Sequence, residues 1–129
     1  MEMSNSLIYT GIIVSKPRMT RSDKWKHREV VDRYWAFKDA IVLAANKQGF
    51  KLGNNVQIIF GIPMPKSWSN KKKMEFDCEP HQGRNDIDNL IKGVFDSLLP
   101  DNDSGIHTLK VEKKWTDKHD GYILIFNND

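Results

Sequence analysis

Hydrophobic residues recur along this chain with two different periods. Leu7 to Val14 is rich in β-branched and aromatic residues and ends at Lys16-Pro17, so it reads as a strand that runs into irregular chain. From Glu29 to Lys47 the spacing becomes helical: Val30, Tyr34, Phe37, Ile41 and Ala44/Ala45 recur every three or four positions, and Gly49 supplies the stop. Val56 to Ile62 reads as a second strand, closed by Pro63-Met64-Pro65, which cannot continue a ladder. Lys66 to Arg84 carries no convincing period and is read as a long structureless connection, of a length usually either functional or disordered, and basic at its start. The helical period returns at Ile87, Leu90, Ile91, Val94, Leu98 and Leu99, with Asn85 or Asp86 as cap and Pro100 as terminator. His107 to Trp115 and Tyr122 to Phe126 read as two strands of a hairpin joined by the polar turn Thr116 to Gly121. The order predicts an α/β (α+β) domain, two main helices packed on a small mixed or antiparallel sheet.

The length of 129 residues fits one domain, 1–129, large enough to bury a core without disulfides or a structural metal. The single cysteine, Cys78, could build no disulfide framework, which favours a reducing compartment. No window approaches the roughly 18 uninterrupted apolar residues of a membrane span, and the expectation is a soluble cytoplasmic protein with no membrane partner.

The formal net charge is only +3, but the basic residues are clustered. Lys16, Arg18, Arg21, Lys24, Lys26 and Arg28 fall in one stretch with Trp25 among them, and Lys66, Lys71, Lys72 and Lys73 form a second cluster around Trp68. Lysine and arginine neutralise phosphates and release counterions, while an interleaved aromatic can stack on a base, so both segments fit a nucleic-acid surface. The plainer alternative is a solvated surface whose lysines confer solubility.

Acids concentrate between Arg84 and Asp103. On a continuous helix Asp86 and Asp88 would point to nearly opposite faces; they converge only if Asp86 lies in the capping segment before the helix. Asp88, Lys92 and Asp96 then follow at i+4 steps on the polar face. Carboxylates drawn together repel and need a cation, and a small set of hard oxygen ligands selects Mg²⁺ or Mn²⁺. Such ions activate water and stabilise the oxygens of a phosphodiester. Asp101 or Asp103 could add a third ligand, and Lys92 could stabilise charge on the phosphate. The structural alternative is helix-capping acids with an Asp88–Lys92 ion pair, and Asp96 is better read as a salt link than as a ligand.

Rival sites fail on register. Asp101-x-Asp103-x-Gly105 places glycine fifth, where a calcium loop needs it sixth. Cys78-x-x-His81 is half a zinc site, and there is no glycine-rich phosphate loop.

Asn85-Asp86-Ile87-Asp88-Asn89-Leu90-Ile91-Lys92, continuing to Asp96 and then to Asp103-Ser104-Gly105-Ile106, resembles the signature of RusA-like Holliday junction resolvases of the phage and prophage type. Ile62-Pro63-Met64-Pro65-Lys66-Ser67-Trp68-Ser69 and the first basic segment extend the likeness from about Ile12 to Trp115. The resemblance implies a homodimeric endodeoxyribonuclease that binds four-way DNA junctions and makes paired symmetric nicks with Mg²⁺ or Mn²⁺. It places Asp86 and Asp88 as metal ligands, Lys92 as the lysine needed for cleavage and Asp103 as the third acid. The family's Asp-Asp pair here reads Asn102-Asp103, and Asp101 is the substitute. Basic residues in the implied DNA surface are the two clusters and Arg84. The alternatives are a nuclease for forks or flaps, or a branched-DNA-binding protein without catalysis.

Overall fold

The helical stretch at 29–48 buries Val31, Tyr34, Phe37, Ile41 and Ala45 on one stripe, with Glu29 and Asp32 in its first turn and Lys47 in its last, signs that complement the helix dipole. Gly49 follows in the left-handed region, φ 64°, where glycine ends a helix without a Cβ clash. A computed structural model describes residues 5–17, 29–101 and 104–129. Its elements are β1 (Ser6–Gly11), α1 (Glu29–Gln48), β2 (Asn55–Pro63), α2 (Asn70–Phe76), α3 (Ile87–Leu98), β3 (Thr108–Thr116) and β4 (Gly121–Asn127).

The four strands form one mixed sheet in the order β1-β4-β2-β3. β4 runs antiparallel to β1 and β2, while β2 and β3 are parallel, with Ile58 opposite both Ile125 and Val111. α1 and α3 pack together over one face. Leu7, Tyr34, Phe37, Ile41, Ile58, Phe60, Leu90, Val94, Ile123 and Ile125 make the core between them. This is the expected α+β architecture, and the sheet is mixed rather than antiparallel.

The expected C-terminal hairpin does not form. β3 and β4 lie on opposite sides of β2, and residues 117–120 cross the end of that strand. Burial decides this: β2 hides Val56, Ile58, Phe60, Gly61 and Ile62, so both of its edges gain by being covered. β3 carries Lys110, Glu112, Lys113 and Lys114 and is suited to an edge. β1 also stops at Gly11, short of the expected Val14.

Both sheet edges are blunted. The Gln48 side-chain amide donates to the Ile8 carbonyl at 2.7 Å and accepts from the Ile8 N–H at 3.0 Å, taking the place of a neighbouring strand on β1. Along β3, Cys78 N–H donates to the Trp115 carbonyl (3.0 Å), Trp115 N–H to Glu79 (2.9 Å) and His81 N–H to Lys113 (3.0 Å).

The segment read as a structureless loop holds α2, capped by the Ser69 hydroxyl, which accepts from Lys72 N–H at 3.2 Å. Seven residues with only Met74 and Phe76 apolar are too few to show a period. Tertiary packing fixes the segment: Trp68 lies 5.4 Å from Phe76 and 4.8 Å from Trp115 between ring centroids.

A Cβ on Gly61 would collide with the Tyr122 ring, which covers this glycine from the paired position on β4. Gly61→Ala is expected to cost about 1–3 kcal/mol through forced displacement of that ring, read as a lower midpoint in denaturant unfolding; an unchanged midpoint would refute this account.

Candidate active site

Asp86 is the N-cap residue of α3, with extended backbone (φ −60°, ψ 136°), and its carboxylate makes no capping hydrogen bond. Its carbonyl instead starts the helix, accepting from the N–H groups of Asn89 and Leu90, both at 3.1 Å. Because Asp86 precedes the first helical residue, the helical rotation that would oppose it to Asp88 does not apply. Asp88, in the first turn, is exposed, and its Oδ2 lies 3.9 Å from Lys92 Nζ one turn on. The positive end of the helix dipole favours both carboxylates as anions.

The chain before Asp86 is held from three sides. Asn85 adopts the left-handed region, φ 78°, which asparagine tolerates better than other non-glycine residues. Ser15 donates to its Oδ1 at 3.0 Å. Lys113, from β3, donates through Nζ to the Asn85 carbonyl at 3.0 Å and reaches the Gly83 carbonyl at 3.4 Å. Beneath this loop the His81 ring sits 4.3 Å from Trp115, and a Cβ on Gly83 would press on it at 3.3 Å. His81 is buried, its Nδ1 without a partner, and burial together with the Lys113 charge lowers its pKa below the usual 6.5.

Asp96 is already committed. Lys16 Nζ lies 2.7 Å from its Oδ2, and the Tyr34 hydroxyl donates to the same oxygen at 3.2 Å. Burial, with this neighbouring charge and hydrogen bond, raises the Tyr34 hydroxyl far above the usual phenol range. Asp96 therefore ties α3 to α1 and to the chain after β1, as its salt-link reading expected, and it occupies Lys16, one of the predicted DNA-binding residues. Lys16 N–H also donates to the Asn89 carbonyl at 3.3 Å.

Among the described residues no three His, Cys, Asp or Glu side chains come together as a metal site. Asp103 lies outside the described residues, as do Arg18, Arg21, Lys24, Trp25, Lys26 and Arg28. Asp101 follows the C-terminal end of α3, and the twelve residues of that helix put about 18 Å between its two ends. Gly105 and His107 then approach Asn54 at the start of β2. Asp86 and Asp88 lie towards the other end of the sheet.

Arg84 is exposed beside Asn85. Lys66 lies between β2 and α2, and Lys71, Lys72 and Lys73 are on α2. Lys72 Nζ is placed 4.2 Å over the Trp68 ring, so this aromatic, read as a candidate base stacker, packs against Trp115, Phe76 and a lysine of its own segment.

Sequence reading missed Ser15, Lys113 and Arg33. Arg33, on α1, lines a cleft of about 260 Å³ with Ser15 and Asn85. No local pattern marks any of the three, because each meets the acidic loop only through long-range contacts.

The family model for endodeoxyribonuclease RusA matches residues 12–125. The chain belongs to the RusA endodeoxyribonuclease family. A RusA chain hydrolyses the DNA backbone, and the match runs from the segment holding Ser15 and Lys16 into β4. No curated protein matches this RusA chain. No helix among its described residues is long and apolar enough to cross a membrane.

Lys113→Met should lower DNA nicking by about 10- to 100-fold by letting the Asp86 loop drift from its working position, whereas Lys110→Met, on the same strand, should not; equal rates for the two variants in a nicking assay would dismiss the role of Lys113. His81 supplies a pH signature. Its folded pKa is depressed, so below 6.5 the unfolded chain binds more protons and stability falls as pH falls. Urea melts should lose stability between pH 7.5 and 5.5, and His81→Phe should flatten that loss; an identical pH slope in the variant would count against the buried neutral ring.

Proposed function

We propose that this RusA protein is a homodimeric endonuclease that cuts four-way DNA junctions by paired symmetric nicks, using Mg²⁺ or Mn²⁺. One observation carries the reading: two exposed carboxylates, Asp86 and Asp88, stand at the start of α3 with Lys92 one turn away, in a chain otherwise rich in clustered bases. Uncommitted hard oxygen donors fit a small divalent cation that keeps several waters. Asp86 and Asp88 would hold it, and when bound it supplies an activated water and charge stabilisation at the scissile phosphate. Lys92 is exposed enough to leave Asp88 and donate to a phosphate oxygen. Ser15, Asn85 and Lys113 fix the backbone from which Asp86 projects, so the donor set is oriented before substrate arrives.

A third carboxylate, Asp103 in this proposal, is separated in sequence from Asp86 by the whole of α3. Asp101, the alternative acid, follows the end of the helix remote from Asp86. Supply of this acid by the second subunit satisfies that geometry, and two equivalent composite sites suit the two-fold symmetry of a junction.

The test is cleavage of a labelled synthetic four-way junction beside linear and forked duplexes. Wild type should give metal-dependent symmetric nicks preferring the junction, and Asp88→Asn should abolish nicking, a loss of at least about 10³-fold, while retaining binding. Junction binding without nicks in either metal would instead make this a silent branched-DNA-binding protein, and preference for forks would change the substrate. Asp88→Asn and Asp103→Asn subunits, each inactive alone, should recover nicking when co-expressed and purified as a mixed dimer, because one of its two sites is then wild type. Continued inactivity of the mixed dimer would place each site within one subunit.

A further inference from the structure

The acids do not account for a second concavity at the same end of the sheet, one with lysines on its wall. β2 and β3 both finish there, β4 begins there, and residues 117–120 cross over the end of β2. The crossing puts Lys118 and His119 on the wall of the same cavity as Lys66, just after β2, and Lys73, on α2. Together with Pro63, Met64 and Asp117 they line a cavity of about 300 Å³. Lys66, Lys73 and Lys118 form no ion pair within the described residues.

Three lysines and an imidazole thus face one concavity against a single carboxylate, Asp117. The turn that carries Lys118 is anchored: its N–H donates to Thr116 Oγ1 at 3.3 Å, and Asp117 N–H donates to Asp77 Oδ1 at 3.2 Å. Three lysines lining one cavity with a single carboxylate leave an excess of positive charge there, and a tetrahedral dianion or a backbone phosphate balances it while accepting several N–H bonds. Lys72, its neighbour in sequence, is instead placed over the Trp68 ring, so the lysine run divides between a packing role and the cavity.

We propose that this cavity is a binding site for a backbone phosphate of the DNA substrate, formed by Lys66, Lys73, Lys118 and His119 and separate from the carboxylates that carry out cleavage. It deepens the proposed reading of the protein as a DNA-junction nuclease and rests on it. The site holds a strand at the β2–β3 end of the sheet while the scissile phosphate lies at the start of α3, so it contributes to affinity and register but not to the chemical step.

The experiment is the salt dependence of junction binding in EDTA, with Lys66→Gln/Lys73→Gln/Lys118→Gln compared with wild type and with a charge-matched control, Lys47→Gln/Lys51→Gln/Lys110→Gln. Every phosphate that the protein no longer neutralises lowers the slope of log K against log salt by about 0.9. Between 50 and 200 mM salt the cavity variant should therefore lose about 3.5-fold less affinity than wild type for each such phosphate, and the control should follow wild type more closely. Equal slopes for the cavity variant and the control would overturn the site while leaving the nuclease reading in place. Failure of the wild-type chain to bind any junction or duplex would overturn the reading beneath it. Matched thermal melts verify folding, and Lys118→Gln alone, on an exposed turn, measures the same slope if the triple variant does not fold.

Discussion

The burial of β2 between β4 and β3 is the constraint on which the rest of the structure depends. A strand whose buried set includes Val56, Ile58, Phe60 and Ile62 gains most when both of its edges are paired and one face is covered by helices. Once β2 is central, the two C-terminal strands must flank it, and their connection must pass over its end. That passage carries Lys118 and His119 to the lysines after β2. It also leaves β3 as an edge whose Lys113 reaches sideways to the loop before α3. The acidic loop and the basic cavity are both consequences of one packing decision in the sheet.

Three aspartates and a short lysine set near α3 are sorted by what surrounds them. Asp96 accepts from Lys16 and Tyr34, so its charge is spent on joining two helices and the chain that follows β1. Asp86 and Asp88 stay exposed, one on extended backbone and one on the first helical turn at the positive end of the helix dipole, with Lys92 one turn from Asp88. A structural acid and two chemical acids therefore lie within a single twelve-residue helix and its cap. Their distinction is made by neighbours distant in sequence: Tyr34 and Lys16 for the first, Ser15 and Lys113 for the loop that aims the others.

Aromatic side chains do comparable sorting on the β3 edge. Phe76, Trp68, Trp115 and His81 touch in succession through tilted and edge-on rings and hold α2 and the 78–81 segment against the sheet. Burial leaves His81 Nδ1 without a partner among the described residues, tolerated while the ring is neutral. The gain is a firm floor under Gly83 and Asn85, and through them under the start of α3.

Much of this was legible in the chain itself. The period of Val30 to Ala45 and of Ile87 to Leu99 settles the two main helices, because an amphipathic stripe of that length has few other ways to bury itself. The Asp86-Ile87-Asp88 spacing with Lys92 marks the candidate site and the family, since the short-range geometry of a helix start is written in adjacent residues. Sequence could not decide strand order: Tyr122 to Phe126 beside His107 to Trp115 reads as a hairpin by proximity, whereas the buried edges of β2 separate them. Nor could it show Lys113 gripping the Asn85 carbonyl, Lys16 paired with Asp96, or Lys118 lining one cavity with Lys66. Those pairings join residues far apart along the chain, and only the closing of the core around β2 brings their side chains within reach.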